Sequence, residues 1–190
     1  MKLLVEGLCK SYEGVSVLRD VTFSAEAGVT CIMAPSGAGK TTLLRILLGL
    51  EHPDSGTVTG LGNARVSAVF QEDRLLEQLD ARGNLRFVLG KRYDEHAAAR
   101  LLAELGLADV GEKPAGEYSG GMKRRLTLIR ALLSPAQALV LDEPFTGLDG
   151  DNRRRAAACV LAQMAQRPVL LVTHDEADAK ALSARIIRLV

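Results

Sequence analysis

The sequence predicts an α/β fold with a mainly parallel central sheet. Three observations carry this. Short apolar runs recur at Val29 to Met33, Val66 to Phe70, Ala138 to Leu141 and Pro168 to Val172, and an unbroken apolar run of about four to eight residues is the pattern of a strand covered on both faces. Segments with helical spacing fall between these runs, and strands alternating with helices give a parallel sheet. A glycine-rich loop joins the first run to a helix.

Taken in order, Leu3 to Leu8 and Val17 to Phe23 read as strands around a turn at Glu13-Gly14, an antiparallel portion ahead of the parallel sheet. Lys40 to Leu50 reads as an apolar helix, closed near Gly49 and by Pro53 beyond. Pro53-Asp54-Ser55-Gly56 reads as a turn. Gln71 to Gly116 reads as a mainly helical insert. Within it, Ala97, Leu101, Leu102 and Leu105 share one face of a helix over Asp94 to Leu105, with Glu95, Arg100 and Glu104 elsewhere. A loop carrying Gly106, Gly111, Pro114 and Gly116 follows, then a long helix from Ser119 to Leu133. The acidic end of the Ala138 strand leads to a helix near Gly150 to Gln166, and Arg185 to Val190 is the last predicted strand.

Composition narrows the function. The 190 residues fit one domain, and 47% apolar residues are enough for a substantial core. A net charge of +1 gives no electrostatic footprint for nucleic acid or an anionic membrane. The basic runs at Lys123 to Arg125 and Arg153 to Arg155 read as solvated helix faces. Cys9, Cys31 and Cys159 show no CxxC spacing, which argues against a disulfide framework or a zinc site and fits a reducing cytosol. Glu6 interrupts the N-terminal apolar run too early for a signal-peptide core. No stretch approaches the roughly 18 apolar residues of a membrane span, so any role in transport requires other chains to cross the bilayer.

Ala34-Pro35-Ser36-Gly37-Ala38-Gly39-Lys40-Thr41-Thr42 follows a strand and opens a helix, the context a phosphate-binding loop needs. Glycines let backbone N–H groups approach phosphate oxygens, and the helix N-terminus adds partial positive charge. Lys40 supplies a full charge to the terminal phosphates, and the Thr41 hydroxyl suits Mg2+. The ligand this predicts is ATP with Mg2+. Ala34 stands where the pattern usually has its first glycine. Positive φ there would cost about 1–2 kcal/mol; a β-region backbone, which is expected, makes alanine harmless.

Leu139 to Pro144 is the second signal: an apolar strand delivers Asp142 and Glu143 to the same sheet edge, provided the strands are parallel. Asp142 would reach Mg2+, and Glu143 would act as general base on the attacking water. This pair defines a P-loop NTPase, a description a kinase or a GTPase also satisfies.

Glu117-Tyr118-Ser119-Gly120-Gly121-Met122 supplies the discriminating pattern. A serine and two glycines opening a helix make a second anion-binding nose, and one nucleotide with two noses suggests a sandwich between two chains. Here the sequence resembles the ATP-binding cassette (ABC) ATPases, whose signature reads Leu-Ser-Gly-Gly-Gln; Tyr118 and Met122 depart from it, and methionine is familiar in importer ATPases for nitrate, sulfonate or taurine. The resemblance covers nearly the whole chain and implies further roles. Tyr12 would stack on adenine. Gln71, after Val69-Phe70, would link Mg2+ to a helical subdomain. Asp149, in Phe145 to Asp149, would lie at the dimer seam. His174, in Val172 to Asp175, would contact the γ-phosphate and help hold Glu143 and its water. Val69 to Leu76 is similar to the corresponding loop of small-anion and organosulfur importers.

The resemblance also implies a core over 1–70 and 135–190 like that of RecA and a short helical subdomain over about 71–134; family members usually continue for some tens of residues past the last strand, sometimes into a regulatory domain, which is not expected here after Val190. It implies ATP-driven closure of two copies head to tail, each site using Lys40 of one chain and Ser119 of the other, with integral membrane subunits as partners and a place on the cytoplasmic face of the membrane. An alternative is an ABC-type ATPase acting on nucleic acid or ribosomes, but such relatives usually carry a long coiled coil or two cassettes, and no nucleic acid is expected here. A small-molecule kinase would leave Ser119 to Gly121 unexplained.

Overall fold

The computed structural model of the chain describes residues 2–35, 37–60, 64–164 and 167–189. In chain order its elements are β1 (Leu3–Tyr12), β2 (Val15–Ala25), β3 (Val29–Met33), α1 (Lys40–Leu47), β4 (Ser55–Thr59), β5 (Val66–Val69), α2 (Ala81–Leu89), α3 (Glu95–Glu104), α4 (Gly120–Leu133), β6 (Ala138–Asp142), α5 (Gly150–Met164), β7 (Val169–Val172), α6 (Glu176–Ala181) and β8 (Arg185–Arg188).

Five strands form one sheet in the order β5-β6-β7-β3-β8, and every neighbouring pair is parallel. All residues of β3, β6 and β7 are buried. Their side chains alternate between two cores, as the period of a strand requires. Cys31, Met33, Leu139, Leu141 and Leu171 pack with residues of α2 to α5. Ile32, Val140, Leu170 and Val172 pack with α1 and with the inner residues of β1 and β2. Covering on both faces is why these strands lack polar alternation.

Register brings the strand ends level. Ile32 pairs with Val172, Asp142 with Val172, and Val69 with Leu141. The carboxyl ends of β3, β5, β6 and β7 therefore align, and the segments that leave them share one edge.

A second, antiparallel sheet has the order β2-β1-β4. Ser55 and Gly56 do not belong to a turn, as their residue types suggest; they begin β4, which pairs Leu4 with Thr59 and Val5 with Val58. Apart from Val58, β4 is exposed, so its residues carry little apolar signal. β1 and β2 also run further into the hairpin than predicted, to Tyr12 and from Val15.

The helical segment between β5 and β6 carries α2, α3 and α4. Asp94 caps α3 through His96 N and Ala97 N, and Ser119 caps α4 through Met122 N. The loop ahead of α2 hangs on buried Asn84, whose amide donates to the carbonyls of Leu76, Leu79 and Asp80 and accepts from Leu76 N. Among the described residues no helix is long and apolar enough to cross a membrane. The predicted ends of two elements, Gln166 and Val190, lie outside the described residues.

Candidate functional site

The loop after β3 turns into α1 through Gly39, which has φ 78°. A Cβ at Gly39 would stand 2.7 Å from Leu18 Cδ2 and 2.8 Å from the Val17 carbonyl, so the loop packs against β2 too closely for any side chain. Gly37 also has positive φ, at 83°. Ala34 is absent from the non-glycine residues with positive φ and is buried, so its methyl causes no backbone strain. Ser36 lies outside the described residues.

The start of α1 differs from that of the other helices. Asp80, Asp94, Ser119 and Asp175 cap α2, α3, α4 and α6 with side-chain oxygens. Gly39 offers none, and the first turn of α1 has no acidic residue. The N–H groups there are donors without a side-chain acceptor beside the positive end of the helix dipole, which is the condition for binding an anion. Lys40 Nζ lies over the loop, donating to the carbonyls of Ala34 at 2.7 Å and Pro35 at 3.0 Å, and Ala38 N donates to Pro35 O.

A cleft of about 590 Å³ opens at the shared sheet edge. Gly37, Gly39, Lys40, Thr41 and Thr42 line one side, and Gln71, Asp142, Glu143 and His174 are among the residues that line the others, with Val17 and Thr146. Thus the ends of β3, β5, β6 and β7 each contribute. Asp142 is 5% exposed. Its carboxyl is shifted upward, first by burial and then by the charge of Glu143, with Arg124 and Lys40 opposing. Adjacent carboxyls in a partly dry pocket favour a cation. Among the described residues no group of three or more His, Cys, Asp or Glu side chains forms a metal cage.

Glu143 is held at both its backbone and its carboxylate. Its φ is 48°, a left-handed backbone uncommon for a residue with a Cβ. Its N–H donates to Val172 O, and its carbonyl accepts from Arg124 Nη2 at 2.6 Å. One carboxylate oxygen lies 2.7 Å from His174 Nδ1, and the other accepts from the Thr173 hydroxyl at 3.2 Å. The bond to Glu143 raises the pKa of the His174 imidazole.

Other residues singled out from the sequence lie outside the cleft lining. Tyr12, at the end of β1, donates its hydroxyl to Glu51 and has the Lys10 ammonium 5.4 Å from its ring centroid. Ser119 and Gly120 are exposed at the start of α4. Asp149 caps α5: Oδ1 accepts from Asn152 N and Oδ2 from Asn152 Nδ2.

The basic runs are only in part the solvated faces the sequence suggests: Arg154 and Arg155 are exposed, and the others are drawn inward. Arg124 is 4% exposed. Arg125 donates to Leu105 O and Asn152 Oδ1. Arg153 pairs with Asp175 and Asp178. The signal for Arg124 is its phase: with Thr127, Leu128 and Ala131 it lies at i, i+3, i+4 and i+7 on the buried stripe of α4. Thr173 carries no such signal, yet its wholly buried hydroxyl reaches both Glu143 and the buried carboxylate of Asp178.

A glycine-rich loop opening an uncapped helix, with a carboxylate pair on a parallel strand at the same edge, defines a P-loop NTPase. Within that class the chain belongs to the ABC transporter family, whose model matches residues 18–146. The chain is 39% identical over 190 residues to the aliphatic sulfonates import ATP-binding protein SsuB 1 of Rhodococcus jostii (strain RHA1), covering 96% of this chain and 77% of that one. It is 37% identical over 182 residues to the protein of the same description from Pseudomonas savastanoi pv. phaseolicola, covering 94% and 76%. It is 36% identical to the Fe(3+) ions import ATP-binding protein FbpC 1 of Rhodococcus jostii, covering 97% of this chain and 58% of that one. A solved ATP-binding subunit of an ABC transporter superposes with a TM-score of 0.87 at 26% identity, covering 100% of this chain and 86% of that one. The protein is an ATP-binding and ATP-hydrolysing subunit of an ABC transporter. The nucleic-acid and ribosome alternative finds no support in these likenesses.

Proposed function

We propose that this chain powers import by hydrolysing ATP in a site shared between two copies of itself, with Glu143 as the general base. The observation that carries this reading is a division. Lys40, Thr41, Gln71, Asp142, Glu143 and His174 line one cleft, while Ser119 and Gly120 stand exposed at a second helix start outside that lining. A nucleotide held only by the first set leaves the second without a ligand; a second copy placed head to tail supplies it.

In this reading the loop Ala34 to Thr42 binds the phosphates, with Lys40 on the terminal ones and Tyr12 against the adenine. Thr41, Gln71 and Asp142 would hold Mg2+, which neutralises charge on the phosphate oxygens. Glu143 takes the proton of the attacking water. His174, 2.7 Å from Glu143, holds that carboxylate and would contact the γ-phosphate. Ser119, Gly120 and Gly121 of the second copy close on the γ-phosphate from the opposite side, with Asp149 at the seam. We read residues 71–134 as the helical subdomain that meets integral membrane subunits at the cytoplasmic face.

These relatives share the word import, and seven of the matched proteins are named for aliphatic sulfonates. We therefore assign the inward direction and propose an organic sulfonate as cargo. Glu143→Gln tests the site: turnover is lost while ATP holds the chain as a dimer on size exclusion. A variant that stays monomeric at saturating ATP overturns the shared site. Uptake of labelled ethanesulfonate by the chain with its membrane subunits tests the cargo.

A further inference from the structure

Arg124 is an unusual place for a permanent charge. It is 4% exposed, and a guanidinium does not shed its proton when buried. A buried cation ordinarily takes a close, two-pronged carboxylate partner. Arg124 has one carboxylate, Asp73 Oδ1 at 3.3 Å. Its shortest contacts are backbone carbonyls, and they divide by nitrogen. Nη1 donates to Phe70 O at 2.5 Å and Gln71 O at 3.3 Å. Nη2 donates to Asp142 O at 3.0 Å and Glu143 O at 2.6 Å.

One planar group thus holds the segment after β5 with one nitrogen and the acidic end of β6 with the other. Because the fork is rigid, it sets the separation of the two segments. Glu143 most needs such a clamp. Its left-handed backbone is disfavoured and persists only where surrounding contacts over-determine it. Arg124 Nη2 at 2.6 Å and Thr146 N at 3.3 Å on its carbonyl, with Val172 on its N–H, are those contacts, and Arg124 makes the shorter of the two to the carbonyl. The clamp is carried by α4, the helix that Ser119 caps.

We propose that Arg124 is a positioning residue for hydrolysis, fixing Glu143 and the Gln71 segment to one group on α4. It rests on Glu143 being the base. A lysine at this position has one nitrogen for both sides and cannot span them; a glutamine has neither the reach nor the charge. In the full-length protein, Arg124→Lys and Arg124→Gln should each lower kcat about tenfold or more, while KM for ATP with Mg2+ and the dissociation constant of a fluorescent ATP analogue stay within about twofold. Millimolar guanidinium should restore part of kcat to Arg124→Ala, and the same concentration of ammonium should not. Unchanged kcat in both variants, a rise in KM alone, equal rescue by ammonium, or loss of cooperative melting in every variant overturns the proposal. Wild-type turnover separates the two claims. If the wild type is active and Glu143→Gln is not, the base stands and the variants judge Arg124 alone. If Glu143→Gln turns over normally, the base is lost and the inference with it.

Discussion

His174 Nδ1 lies 2.7 Å from Oε1 of Glu143. The carboxylate favours the protonated imidazole and raises its pKa. A raised folded-state pKa means that the pairing is fully present below the unfolded value near 6.5 and is lost as pH rises through the higher folded value. In ATP-free protein, an NMR titration of the His174 ring should give a midpoint above 6.5 that falls toward that value in Glu143→Gln. A wild-type midpoint at or below the ordinary histidine value would remove the pairing.

The loop glycines should not be equivalent. At Gly37 an added methyl meets nothing within 4 Å, so Gly37→Ala carries only the cost of φ 83°, about 1–2 kcal/mol. At Gly39 the methyl also strikes Leu18 and the Val17 carbonyl. Gly39→Ala should therefore destabilise the protein more in urea unfolding, and should displace the start of α1 enough to abolish ATP binding. Ala34→Gly runs the other way: with no positive φ to relieve, glycine should cost about 0.5–1 kcal/mol of stability and leave ATP affinity unimproved. Tighter binding in Ala34→Gly would show that the methyl hinders the loop.

Those contrasts mark where the sequence is legible. The cleft motifs are readable because each sits at the end of an apolar run, and Val29 to Met33 or Ala138 to Leu141 is buried on both faces. Parallel register alone then brings them together. β4 is hidden because an exposed edge strand of Ser, Gly and Thr has almost no apolar pattern. α6 is hidden because six residues are too few for a period. Arg124 misleads because a basic run suggests solvent, although its phase on α4 points inward. Its partners are main-chain carbonyls, which every residue has, so only the fold reveals them.

Thr173 supplies one hydroxyl proton to two carboxylates. Its Oγ1 lies 3.2 Å from Glu143 and 3.0 Å from Asp178, and it accepts from Asp175 N. Thr173→Val keeps the shape and removes the hydroxyl, leaving the buried Asp178 carboxylate short of a donor. The expected loss is about 1–3 kcal/mol of stability, the usual penalty for stranding a buried polar group, together with lower kcat because Glu143 loses a contact. Thr173→Ser should keep both. A valine variant as stable and as active as wild type would show that the hydroxyl holds nothing in place.

The shared site makes a prediction that no single-chain site makes. In the Glu143→Gln background, adding Lys40→Ala removes the charge on the terminal phosphates, and adding Ser119→Arg blocks the opposite face. Alone, each double variant spoils both sites of a symmetric head-to-tail dimer, because every site takes Lys40 from one chain and Ser119 from the other. Mixed, the chains form one site with both residues intact and one with both altered. ATP should therefore give no dimer with either variant alone and a mixed dimer when the two are combined, detected on size exclusion with one chain tagged. If Lys40 and Ser119 acted within the same chain, mixing would restore nothing, since no chain in the mixture carries both. A dimer that appears only on mixing assigns the two residues to opposite copies.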